Sequence, residues 1–122
     1  MSLNSYKELK VWQHGMQIAE ACYHLTSSFP RSELYGMTSQ IRRAAASIPA
    51  NIAEGYGRGH RAEYIQFIRI ANGSLKELET HLILASRVLL AEQEAVEELL
   101  KLCDEEGRML RALLQSLQKH TP

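Results

Sequence analysis

"YIQFIRIANGSLKELETHLILASRVL", residues 64 to 89, places Tyr64, Ile68, Ala71, Leu75, Leu78, Leu82, Ala85 and Leu89 at alternating steps of four and three. A strand would need alternate positions to share a side, whereas these steps return to one face of a helix turn after turn. The alternation is heptad-like and unbroken, so the segment reads as one long helix from about His60, with an apolar stripe that other helices must cover. A second row, Phe67, Ile70 and Ser74, flanks the first and gives this helix neighbours on more than one side.

The rest of the chain supplies those neighbours. Near the N-terminus, Ser5 and Glu8 form a capping-box pattern, followed by Leu9, Trp12, Met16, Ala19, Tyr23 and Thr26 at helical spacing. "SSFPRSE" then stops the helix, because Pro30 pushes Phe29 out of helical backbone. A second stripe, Met37, Ile41, Ala44, Ile48 and Ile52, contains Pro49, which predicts a kink near Ala45 and Ala46. The last runs through Val96, Leu100, Cys103, Gly107, Leu110, Leu114 and Leu117. Gly107 on that line implies close helix approach, and the tail "QKHTP" should fray. The predicted helices are roughly 6–28, 34–56, 60–90 and 92–119, in one domain spanning 1–122. Short connections make the fold class all-α: an antiparallel, up-down-up-down four-helix bundle.

Composition narrows function by exclusion. Lys plus Arg and Asp plus Glu each number 14, so the chain lacks the net positive charge of a protein devoted to nucleic acid. "MSLNSYKELKVWQ" shows no signal-peptide pattern and no apolar run approaches the roughly 20 residues of a membrane span, so a cytoplasmic protein without membrane contact is expected. Cys22 and Cys103 fall on helical apolar stripes and read as buried thiols, not a disulfide. The five histidines, at 14, 24, 60, 81 and 120, are scattered. Glu77 and His81 stand four apart without a second such motif, so neither metal nor cofactor is expected. Ser47 and Ser74 have no evident base to activate them, so no enzymatic activity is expected. Glu54 and Glu77 read as structural partners of Arg43 or Arg69, and Tyr6, Trp12, Tyr35 and Tyr56 as packing aromatics.

"SIPANIAEGYGRGH", residues 47 to 60, carries Gly55, Gly57 and Gly59. A phosphate loop needs a strand before its glycines; here a helix C-terminus precedes them, and its carbonyls repel anions. The glycines instead predict a left-handed cap at Gly57 or Gly59 and a reversal into the third helix. Around that reversal and along the flanking helices lie Arg42, Arg43, Arg58, His60, Arg61 and Arg69, a candidate surface for RNA or another anion. Glu92, Glu94, Glu97, Glu98, Asp104, Glu105 and Glu106 make the fourth helix acidic. Each sign either solvates an exposed face or meets its opposite between subunits.

"LKVWQ" at 9 to 13, "LTSSFPRSELYGMTSQIRRAAASIPANIAEGYGR" at 25 to 58 and "FIRIANGSLKELETHL" at 67 to 82 resemble the bacterial four-helix-bundle family encoded in intervening sequences of 23S ribosomal RNA genes. A more distant similarity is to the basic accessory variability protein of diversity-generating retroelements, which binds nucleic acid and a reverse transcriptase. The resemblance implies a ring-like homopentamer, with no enzymatic activity and with self-association as the main partnership. It also implies structural weight at Arg43, Pro49, Asn51, Glu54, Gly55, Gly57, Arg58, Arg69, Gly73, Ser74, Glu77 and Glu79. The leading expectation is an oligomeric interaction or scaffold protein; the alternative is an RNA-binding accessory protein using the arginines.

Overall fold

The computed structural model describes residues 5 to 119. Four helices account for most of them: α1 (Lys10–Thr26), α2 (Met37–Gly57), α3 (Arg61–Arg87) and α4 (Gln93–Lys119), with 3-10 turns at Tyr6–Glu8 and Arg31–Glu33. No strand occurs among the described residues. Each helix packs on its neighbour in sequence and α4 closes on α1, while among the described residues the backbones of α1 and α3, and of α2 and α4, nowhere approach within 8 Å between Cα atoms. With connections as short as 58–60 and 88–92, this is a square four-helix bundle. Helix α4 is regular through Lys119, and the fraying expected at 120–122 lies outside the described residues.

The α3 stripe forms the centre. Ile68, Ala71, Leu75, Leu78, Leu82 and Ala85 are fully buried, facing Ile41, Ile48 and Ile52 of α2 and Cys103 and Leu110 of α4 within one core. Cys22 and Cys103 are free and buried, and desolvation pushes both thiols up to about 12, so they behave as small core side chains.

Several expectations need correction. Ser5 caps the 3-10 turn instead of α1: its Oγ accepts the Lys7 N–H at 3.1 Å, and α1 starts only at Lys10. The buried line of α1 is Val11, Gly15, Ile18, Cys22 and Thr26 with Ala19, which leaves Trp12 and Met16 at the edge and Tyr23 exposed. Helix α2 begins at Met37 instead of near 34, its first N–H capped by Glu33 Oε1 at 3.1 Å, and runs on through the buried Pro49, inside the helix where its sequence position put it. Of the second α3 row, only Ile70 is exposed; Ser74 bonds to α2 and Phe67 packs against it. Gly107 is not required for close approach, since a Cβ there would meet Leu75 at an ordinary 3.5 Å.

The glycine-rich reversal separates three roles. Gly59 holds φ 69, the left-handed conformation that only glycine adopts freely, and turns the chain into α3. Gly57 is the last residue of α2 and faces open space. Gly55 lets α2 and α3 touch: a Cβ there would stand 2.6 Å from Phe67 Cβ.

The α3 stripe also stops one step early. Helix α3 ends at Arg87, and Leu89, the last member of the predicted stripe, is 89% exposed with φ 65. Its N–H bonds to Ser86 and that of Leu90 to Ala85, the paired bonds of a Schellman cap with leucine where glycine is usual. Leu89→Gly is therefore expected to raise stability by about 0.5–1 kcal/mol in urea denaturation, the left-handed strain relieved exceeding the extra chain entropy of glycine.

Candidate functional site

Steps of four, three and four along α2 place Ala46, Ala50, Ala53 and Gly57 on one line beside its buried stripe. These small residues form a low outward ridge with a groove on either side. The α1 side holds an apolar groove of about 580 Å³, walled by Trp12, Met16, Tyr23 and Pro49. The Tyr6 ring stands edge-on to Trp12 at 5.3 Å and extends that wall. On the α3 side a polar groove of about 440 Å³ carries Arg43, Ser47 and Glu77. Its floor is tied across the two helices by a Ser47–Ser74 hydroxyl bond at 2.8 Å. Asn51 Nδ2 donates to the Ser47 carbonyl at 2.8 Å and to its Oγ at 2.9 Å. Farther along α3, Ile70, Glu77, His81, Leu84 and Val88 share a line, and its three apolar members are exposed.

The six basic candidates do not make one patch. Arg43, in the second turn of α2, and Arg58, its C-cap, are fifteen residues apart, about 22 Å at 1.5 Å per residue, too far to form one patch. Arg42 is committed internally: its Nε donates to Thr26 Oγ1 at 2.8 Å and its guanidinium lies 4.6 Å over the Tyr23 ring. Arg58 pairs with Glu54 at 2.9 Å and Glu63 at 4.0 Å, while covering Phe67 at 5.1 Å. Those carboxylates hold its already high pKa higher still. Arg43, His60, Arg61 and Arg69 are exposed, with His60 at the N-cap position of α3 and Arg69 about 13.5 Å farther along.

The carboxylates sort differently from their sequence pattern. Glu54 is exposed and serves Arg58; Glu77 is exposed, 3.4 Å from His81; Glu79 pairs with Lys76 at 3.2 Å. Gly73 faces open space. The buried carboxylate is Glu106, counted in the sequence with the acidic face of α4 but in fact 0% exposed. It follows Cys103 by three and precedes Leu110 by four, so its place on the stripe was the available signal. Its Oε1 lies 2.9 Å from His14 Nδ1 on α1, while its Oε2 has no hydrogen-bond partner and lies over Gly15, where a Cβ would come within 3.2 Å. Desolvation raises this carboxyl from 4.5 to about 7, against the opposing pull of His14. His14 Nε2 is 3.6 Å from Glu105, beyond hydrogen-bond reach.

This couple ties α4 to α1 in the interior. Among the described residues no group of three His, Cys, Asp or Glu side chains could hold a metal ion, and no helix is long and apolar enough to cross a membrane.

Residues 7–112 match the family model of the 23S rRNA-intervening sequence protein. The chain is also similar to a crystal structure from Bacteroides thetaiotaomicron VPI-5482, a protein with unknown function from the S23 ribosomal protein family. The TM-score is 0.76 at 25% identity, covering 85% of this chain and 97% of that one. No curated protein matches it.

Proposed function

The chain belongs to the 23S rRNA-intervening sequence protein family, and from that premise we propose that it works by self-association, as a non-enzymatic scaffold built from identical bundles in a ring-like homopentamer. The observation that carries this reading is the apolar groove between α1 and α2, walled by Trp12, Met16 and Tyr23 and open along the alanine ridge. Grooves of this kind lose water favourably when filled, and small ridge residues let a second backbone come near. The exposed line Ile70, Leu84 and Val88 lies on the other flank of α2. Two different patches meeting make a heterologous contact, which closes into a ring when the rotation allows. The number five rests on the family resemblance.

RNA binding is the second reading and has less support. Arg42 and Arg58 are engaged within the chain. Arg43, His60, Arg61 and Arg69 stay exposed, and a ring would repeat them around its axis.

Ala50→Arg tests self-association. Ala50 is exposed, so the bundle accommodates arginine, but a cation in a desolvated groove weakens association by at least about a hundredfold. Light scattering should report a mass reduced toward one chain, with helix content by circular dichroism unchanged and Ala50→Ser behaving as wild type. An undiminished mass for Ala50→Arg would remove the α1/α2 groove from the interface.

A further inference from the structure

A second trough runs along the seam between α1 and α4. Its deeper part, about 500 Å³, has a floor of Ala21, Leu25, Ala95, Leu99 and Leu102, edged by Glu98 and Glu105. A neighbouring hollow of about 440 Å³ continues it to the α3–α4 turn, adding Leu89, Leu90 and Glu92. Leu25 and Ala95 line both, so the two form one channel. From Glu92 to Glu105 it follows α4 for about 20 Å, the length of three to four helical turns.

Three features of this channel point to the same occupant. Its floor is apolar and runs along α4, as a groove that receives one face of a helix does. Its edge is acidic: Glu92, Glu98 and Glu105 are exposed, against Lys101 and His24. Leu89, held in left-handed backbone, exposes almost its whole side chain at one end and packs on nothing equivalent within the chain. The exposed apolar line of a second copy, Ile70, Leu84 and Val88, has the exposed acid Glu77 on it, which would face the acidic edge of this channel, so a second copy is the poorer match. The apolar stripes of α1 to α4 face their own core.

The geometry points to a docking site for one basic amphipathic helix of a different protein, its apolar face on Leu25, Ala95 and Leu102 and its lysines or arginines against Glu92, Glu98 and Glu105. The contact would be salt-sensitive, since its charges lie at an exposed rim, while the floor sets where the helix lies. Self-association through α2 is a separate matter and its failure leaves this site standing.

The test uses the full chain and a fluorescein-labelled peptide of about 18 residues, leucine along one face and lysine on both flanks, with a second peptide bearing glutamate in place of lysine. Fluorescence anisotropy should show binding of the basic peptide only, weakening between about 50 and about 300 mM salt. Glu98→Lys with Glu105→Lys should weaken it at least about tenfold, and so should Ala95→Gln, which fills the floor without changing charge. Glu94→Lys with Glu97→Lys, the same charge change outside the channel, should alter it less than about threefold. Equal loss in that control, retention in Ala95→Gln, or no binding of the basic peptide would overturn the proposal. A change in assembly mass on Glu98→Lys with Glu105→Lys would assign the channel to a second copy and overturn it as well.

Discussion

Replacing Glu106 by glutamine is expected to stabilise the bundle by about 2 to 3 kcal/mol at pH 8 and to change it little at pH 5. The carboxyl titrates near 7 in the folded chain, raised from 4.5 by desolvation with only His14 opposing. Below 4.5 it is protonated in both states and carries no ionisation penalty. Above 7 it is ionised in both, and the folded state bears the full cost of a charge held among Gly15, Cys103 and Leu110. Between these limits the folded chain binds the proton more tightly, so this group lowers stability as pH rises through the window. At 1.36 kcal/mol per unit the whole effect is about 3 kcal/mol. Glutamine keeps the length and the His14 contact but leaves one amide atom unpartnered, which returns part of the gain. Urea denaturation of both proteins at pH 5, 6, 7 and 8 isolates the Glu106–His14 couple, because titratable groups away from it cancel in the difference. A difference independent of pH would mean that the Glu106 carboxyl meets water in solution.

Gly55→Ala is expected to destabilise the chain by about 2 kcal/mol, and Gly57→Ala to leave it unchanged or improve it by up to about 1 kcal/mol. Both sites lie in the last turn of α2, and helix propensity favours alanine at each. What separates them is α3. At Gly55 the new methyl would sit 2.6 Å from Phe67 Cβ and 3.2 Å from Tyr64 Cδ1, so backbone must move against backbone, beyond what a rotamer change could relieve. At Gly57 no atom lies within 4 Å. Because Phe67 also carries the Arg58 guanidinium, a shift there loosens the Glu54–Arg58–Glu63 cluster at the same corner. Equal effects at the two positions would show that α2 and α3 are less tightly apposed than this.

What the sequence disclosed followed from periodicity, and what it hid came from tertiary pairing. Ile68 through Ala85 announced α3 because helical spacing alone puts them on one side. The same spacing misled at Leu89, where the pattern outlasts the helix and no glycine or proline marks the stop. Pattern also placed Glu106 among the surface acids of α4, although its register relative to Cys103 and Leu110 puts it inside; chemistry and register disagreed, and register won. The arginines were visible as residues, but the commitment of Arg42 to Thr26 crosses between helices and leaves no local trace, whereas Arg58 meets Glu54 four residues back at ordinary helical spacing. The α1/α4 channel joins positions near 21–25 with positions near 89–105, a juxtaposition only the closed bundle creates.

Self-association through the groove beside the alanine ridge is most directly tested by the mass of the unmodified protein in solution. Light scattering on the full chain at tens of micromolar should give one species with the mass of five chains. A single-chain mass throughout that range would contradict it, and Trp12, Met16 and Tyr23 would then line a groove that no second copy fills.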